Sequence, residues 1–570
     1  MLNRRYAGVV FAISAQRQLS EVAQLATSRL STVSFAYNNT IFYIQSRSGG
    51  STYPAIGQPS SAVHSLRQPP ENGGNCTEEI KDGLKTAQAR VGIAISKRSP
   101  SVTHFYCVKF YPYTKPGVDD VFAVVGGDHI LICRPPPPGG NDNPKAEVIQ
   151  FVVEKEPGED FFTCAWTKDL KSGEPLLCVA GHNANIKIIN ALTGKLLRTL
   201  TGHGGEIYDL AISPLNPTIL ASASLDYTVR IWSLDPAHEN QPCAAILEGV
   251  GHREAVLSIA FHSTGRYLLS GGADHIINLW TLPEFPDKNT GTSKPTRIHY
   301  PHFSTSEIHH NIVDCVAFHG DLIFSKVAVE ECIVLWSITN FNSKNTPPSP
   351  DSAPTPHDTQ RETRSAFSSS TLSTSGSSNQ YTRLLQFDTP KTTESAITFT
   401  RFSLYPGDST HNPVLSFCNA TSKALFWDLG RLEAYHDLLS SGADLTQTAT
   451  RPPFLNPFQH RNQSSMHGTP AQISKQRANS PTESCSSRQT GSDVLTGDKE
   501  KGKVDWDKSL KNWAGKYEMG DVLEALIAHK EEIVRGVSFT GRSLAWSNTG
   551  NWCVVAGSGG VFTLLHRWGR

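Results

Sequence analysis

Two constellations stand out by residue type and spacing. In the first, an imidazole, a carboxylate and an indole follow one another at nearly the same intervals twice: His203, Asp226 and Trp232, then His252, Asp274 and Trp280. With a small hydroxyl or glycine position between them, such a set can close one buried hydrogen-bond network per copy, worth keeping only if every member is satisfied. The second is aromatic: Tyr106, Phe162 and Phe399, the last directly after Thr398. Rings gathered at one point attract a quaternary ammonium by cation–π forces of about 0.5–2 kcal/mol each. The alternative is a plug of apolar surface, and residue types leave both open. Catalytic spacing is missing: there is no G-x-S-x-G, P-loop, G-x-G-x-x-G after a strand, or H-E-x-x-H. His309, His310 and His319 suggest a metal on paper, but His309 falls where the repeats carry Gly-His, which favours a structural role. Glu159, Asp160 and Asp314 read as top-face loop residues that define no acid/base pair. The expectation is a non-enzyme without cofactor or metal.

The elements that must position these residues are repeats. Residues 202–232 and 251–280 superpose with one gap: Gly-His, an alternating apolar strand, a turn, a strand of small residues, an Asp turn, and a strand ending in Trp. A period near 48 residues fits a WD40 blade. Weaker copies occupy 161–189, 309–336 and 395–428, with degenerate ones at 103–132 and 535–568. That totals seven, enough to close one all-β, seven-bladed propeller and remove its sheet edges. In the innermost strands, buried pairs two residues apart are expected at Val108 and Phe110, Cys164 and Trp166, Leu210 and Ile212, and Ile259 and Phe261. The residue two before each pair should sit near the channel mouth. In blades 1 and 2 that residue is Tyr106 and Phe162; in blade 6 it is Thr398, followed by Phe399.

Lys plus Arg and Asp plus Glu both number 52 among 570 residues, so the formal charge is zero. A neutral chain argues against a main grip on nucleic acid or an anionic membrane. Eleven cysteines without a C-x-x-C spacing read as reduced core residues. Residues 1–95 lack periodicity and are expected to form a disordered tail before a propeller over 96–570. Ser/Pro-rich stretches within 342–380 and 436–519 are expected to be disordered inserts. The first is placed between blades 5 and 6, the second in the outer-strand region after blade 6.

Several runs go beyond a generic repeat: Pro301-His302-Phe303-Ser304-Thr305, Val313-Asp314-Cys315-Val316, Gly320-Asp321-Leu322-Ile323 with Ser325-Lys326, Glu159 through Trp166, and Gly251-His252-Arg253-Glu254. They resemble the Polycomb Eed/Esc family over roughly 100–341, 383–435 and 520–570. The resemblance implies a nuclear, noncatalytic WD40 scaffold of a Polycomb repressive complex 2-type histone H3 methyltransferase. Its implied partners are a SET-domain catalytic subunit, a Suz12-type zinc-finger subunit and the histone H3 tail, without sequence-specific nucleic acid or membrane. It also implies a trimethyl-lysine cage at Tyr106, Phe162, Thr398 and Phe399, which stimulates the methyltransferase when filled, and a groove for a partner helix on the opposite face. Thr398 stands where the family carries Trp. The alternatives are a scaffold without methyl-lysine reading, or an adaptor in another chromatin or ubiquitin-ligase complex.

Overall fold

The computed structural model describes residues 104–136, 146–355, 362–368, 380–390, 399–441, 452–455, 507–534 and 540–567. The expected tail at 1–95 and Thr398 lie outside them. Short β-branched and apolar runs broken by Gly, Asp and Asn turns leave little choice but antiparallel strands, and these assemble into seven sheets.

Blade 1 holds β1 (Cys107–Phe110), β2 (Phe122–Gly126), β3 (His129–Arg134) and β4 (Glu147–Val153), and blade 2 holds β5 (Phe161–Lys168), β6 (Pro175–Gly181), β7 (Ile186–Asn190) and β8 (Leu196–Leu200). Blade 3 is β9 (Ile207–Ile212), β10 (Ile219–Ser224), β11 (Val229–Ser233) and β12 (Cys243–Leu247). Blade 4 begins with β13 (Val256–Phe261), β14 (Tyr267–Gly272) and β15 (Ile277–Thr281). A parallel strand, β16 (Thr296–Ile298), extends blade 3, and β17 (Phe303–Thr305) completes blade 4. Blade 5 contains β18 (Val313–His319), β19 (Leu322–Val327) and β20 (Cys332–Ile338). A fifth strand on blade 4 is β21 (Thr363–Ser365), while β22 (Tyr381–Asp388) is the fourth of blade 5. Blade 6 uses β23 (Ser403–Tyr405), β24 (Val414–Cys418) and β25 (Lys423–Asp428), followed by helix α1 (Leu429–Ser441) and helix α2 (Asp507–Ala514). The short β26 (Ala525–Leu526) pairs in parallel with β22, and β27 (Lys530–Ile533) is the outer strand of blade 6. Blade 7 is β28 (Gly541–Trp546), β29 (Trp552–Gly557) and β30 (Val561–His566).

Two expectations about the inserts need correction. The first insert does not separate blades 5 and 6; it interrupts blade 5 between β20 and its outer strand β22. Nor are the inserts without structure throughout. Thr363–Ser365 lies on β17 because its backbone groups complete an otherwise open sheet edge, and Trp513, in α2, packs against Tyr435 and Phe454. A few large apolar residues inside a polar stretch suffice to anchor it locally, which composition averages away.

The core is divided between neighbouring blades, since each pair of sheets buries its facing side chains. One cluster joins Phe105, Val108 and Phe122 of blade 1 to Val554, Phe562 and Leu564 of blade 7, closing the ring. Nine cysteines among the described residues are free thiols, seven of them buried, as core residues rather than crosslinks.

Candidate functional site

The histidine networks form, and among the described residues there are three. The His203 Nδ1 lies 2.8 Å from Asp226, its Nε2 is 2.7 Å from the Ser222 hydroxyl, and the Trp232 indole donates to that hydroxyl at 2.8 Å. His252, Asp274, Ser270 and Trp280 repeat this at 3.1, 2.7 and 2.8 Å. Blade 5 carries a third copy that spacing did not define: His309 joins Glu330 at 2.6 Å and Ser325 at 2.8 Å, and Trp336 donates to Ser325 at 3.0 Å. Glutamate replaces aspartate there, which hid the copy from a motif read on Asp. Burial holds His203 and His309 below the usual imidazole range, against the pull of their acids, so each is neutral, donates from Nδ1 and accepts at Nε2. His309 therefore has no nitrogen left for a metal. Among the described residues no group of three or more His, Cys, Asp or Glu is placed to hold one.

Asp314 is not a loop residue as expected. It lies in β18, fully buried, accepting from the Lys326 ammonium at 2.9 and 3.2 Å. Glu159 is also buried, 3.6 Å from the Lys187 ammonium.

The aromatic residues meet at the channel mouth, and the backbone shows why. In blades 2 and 3 the innermost strand bulges by one residue against its neighbour: pairing jumps from Phe161 to Thr163 and from Ile207 to Asp209. The residues left out are Phe162 and Tyr208. A bulge re-aims the extra side chain, here toward the channel mouth. Leu257, Asp314 and Arg542 are skipped in the same way in blades 4, 5 and 7. Two glycines admit the approaching chain. A Cβ at Gly126 would collide with the His104 carbonyl oxygen, and one at Gly181 with that of Asp160, each carbonyl standing two residues before a cage ring.

Tyr106 stands edge-on to Phe162, with centroids 5.4 Å apart and planes at 87°. Phe399, held at φ +61°, lies 6.3 Å from Phe162 with planes 12° apart. Three sequence-expected rings are thus brought together. The fourth, Tyr208, was missed, although counting two back from Leu210 lands on it. It lies 5.7 Å from Phe162 and 5.4 Å from Phe399, at 17° and 29°. Centroids this close leave no room for an ammonium between Phe162 and Phe399. An ammonium would have to approach the ring faces that are turned outward from this stack. The Arg542 guanidinium lies 5.8 Å from the Tyr106 ring centre, covering it with an internal cation.

Charge around the rings is mixed. Asp160 accepts from the Gly127 amide at 2.9 Å, and burial raises its carboxyl to about 6, with Glu159 and Asp128 adding to the rise. Beneath the rings, Arg401 binds Asp209 at 2.7 Å and donates to the carbonyls of Tyr208 and Leu257 at 2.8 and 2.9 Å. Asp209 also accepts from the Ile259 amide at 3.0 Å. This hub ties blade 6 across the channel to blades 3 and 4.

Similar proteins share this architecture. The WD domain, G-beta repeat family matches residues 194–233 and 242–281, within the clearest blades. The Polycomb protein EED of Chaetomium thermophilum is 38% identical over 531 residues, covering 83% of this chain and 92% of that protein. The chain belongs to the Polycomb EED family. The Polycomb protein esc of Drosophila melanogaster is 36% identical over 230 residues, 38% of this chain and 52% of its own. Among solved structures, the crystal structure of the Chaetomium thermophilum polycomb repressive complex 2 contains a chain matching this EED-family propeller. That match has a TM-score of 0.69 and 38% identity, over 84% of this chain and 98% of that one. The same complex with histone H3 trimethylated at a lysine and a lysine-to-methionine H3 matches with a TM-score of 0.68 and 38% identity, over 83% and 95%.

On the face opposite the cage, Leu170, Leu197 and Leu215 are 62%, 51% and 70% exposed. A cleft of about 300 Å³ between blades 2 and 3 is lined by Leu170, Leu176, Ile188, Leu197, Leu234 and the Arg198 stem, among others.

Proposed function

We propose that this EED-family propeller is the noncatalytic WD40 scaffold of a Polycomb repressive complex 2-type histone H3 methyltransferase. In that role it binds trimethyl-lysine of the H3 tail at Tyr106, Phe162 and Phe399, stimulates the catalytic subunit, and serves transcriptional silencing in the nucleus. The observation that carries the reading is the convergence of these rings, from blades 1, 2 and 6, at one mouth of the channel. Residue 398 contributes threonine where the family has a ring, so binding rests on the remaining aromatics. The exposed leucines beside the cleft on the opposite face suit the apolar side of a partner helix, which supports that face as the docking side for the SET-domain subunit.

Calorimetric titration of the full chain with H3-tail peptides, unmodified and trimethylated, tests the reader half. Micromolar binding that requires the methyl groups and disappears in Phe162→Ala is the expected result. A folded protein that ignores the trimethylated peptide would leave the scaffold and remove the reader.

A further inference from the structure

We infer that Tyr208 is a wall of the methyl-lysine cage, a ring from blade 3 that takes over the aromatic contact absent at Thr398. The inference rests on the reader role proposed above and deepens it.

Tyr208 touches two other cage rings, Phe162 at 5.7 Å and Phe399 at 5.4 Å, and both contacts are near-parallel. Of the two near-parallel contacts that Phe399, next to blade 6, makes across the channel, the one to Tyr208 of blade 3 is shorter than the one to Phe162 of blade 2, 5.4 against 6.3 Å. The Tyr208 side chain is partly exposed rather than swallowed by the core, so it stays within reach of a ligand. It is also fixed at both ends. Its hydroxyl donates to Glu206 Oε2 at 2.7 Å, and the other oxygen of that carboxylate lies 2.7 Å from His182 Nδ1. Its carbonyl accepts from Arg401 at 2.8 Å, and Arg401 lies two residues beyond Phe399. A ring held this way loses little freedom when a cation arrives, which is what preorganised recognition requires. Glu206 adds a negative charge just outside the rings, favouring a cation over a neutral side chain of equal size.

A packing role and a cation-binding role differ in what they require of residue 208. Packing needs only apolar volume, whereas cation–π attraction needs the ring's negative face. The test compares Tyr208→Phe, Tyr208→Leu and Phe162→Ala in the full chain, each titrated with trimethylated and unmodified H3-tail peptide, with thermal unfolding recorded alongside. Tyr208→Phe should bind within about twofold of the parent, and Tyr208→Leu should fold yet bind the trimethylated peptide roughly tenfold more weakly. Parent-like affinity in Tyr208→Leu, with binding abolished in Phe162→Ala, would overturn the role of Tyr208 and leave the cage standing. If the parent protein does not discriminate the trimethylated peptide, both readings fall. Should Tyr208→Leu lose its folded transition, Glu206→Gln serves instead. Weakened binding with unchanged melting supports the inference, and unchanged binding contradicts it.

Discussion

At the scale of the residue, a buried acid beside the cage makes a testable point. Asp160 stands two residues before Phe162, and burial lifts its carboxyl to about 6. Above that value its negative charge favours an approaching ammonium; below it the charge is gone. Binding of a trimethylated peptide should therefore be steady from pH 8 to 7 and weaken on the order of threefold as pH falls through about 6. Asp160→Asn should bind more weakly at pH 7.5 and show a flatter profile. Titrations of the two proteins at a series of pH values test this, and an unaltered slope in Asp160→Asn would exclude this carboxylate.

Among elements, the blade networks show how polar groups are kept inside strands. In blade 5 the Ser325 hydroxyl accepts from Trp336 and donates to His309. Ser325→Ala strands an indole N–H and an imidazole nitrogen together, so stability should fall by about 1–3 kcal/mol in a denaturant titration. The pH sense follows from the histidine. Folded His309 titrates below its ordinary value of 6.5, so beneath that pH the unfolded chain binds more protons than the folded one. Stability from this group is complete above about 6.5 and is lost as pH falls toward the folded value. His203 has the same sense, and both should contribute to an acid-labile centre of the propeller. A midpoint of unfolding that does not decline between pH 7 and 5 would contradict the neutral assignment.

At the scale of the whole molecule, closure and the channel hub govern the site. The Phe105 amide donates to the Gly557 carbonyl beside Tyr106, and the Asn548 side-chain amide donates to the Tyr111 carbonyl at 3.1 Å past the other end of β1, so that blade 7 is joined to blade 1 at both ends. Across the channel, Arg401 is the tie that sets Phe399 against Tyr208. Arg401→Met would leave Asp209, 3% exposed, without its cation. The expected cost is about 3 kcal/mol, the lower end for a broken buried pair, because backbone amides still donate to Asp209. Replacing both, as Arg401→Met with Asp209→Leu, should recover most of that loss. Guanidinium unfolding of the three variants checks the cycle; equal losses in single and double variants would show that the pair is not the source.

The sequence by itself determined the repeat, because a strand, a tight turn and a buried indole each demand particular residue types at particular distances. Gly-His, Asp and Trp in blades 3 and 4 are legible for that reason, and seven copies imply closure. Counting back from the buried pairs also marked Tyr106 and Phe162 for the mouth, whereas in blade 6 the count falls on Thr398 and Phe399 enters only as its neighbour. Local pattern has no term for a bulge, and the bulges are what turn Phe162 and Tyr208 into the same space. It could not equate Glu330 with the aspartates of other blades, because only distance to His309 defines that role. Nor could it show that Asp314 is buried against Lys326. Contacts across the channel join residues far apart in the chain, as Arg401 joins Tyr208. They exist only once the ring has closed, and so the tertiary structure alone decided which rings meet.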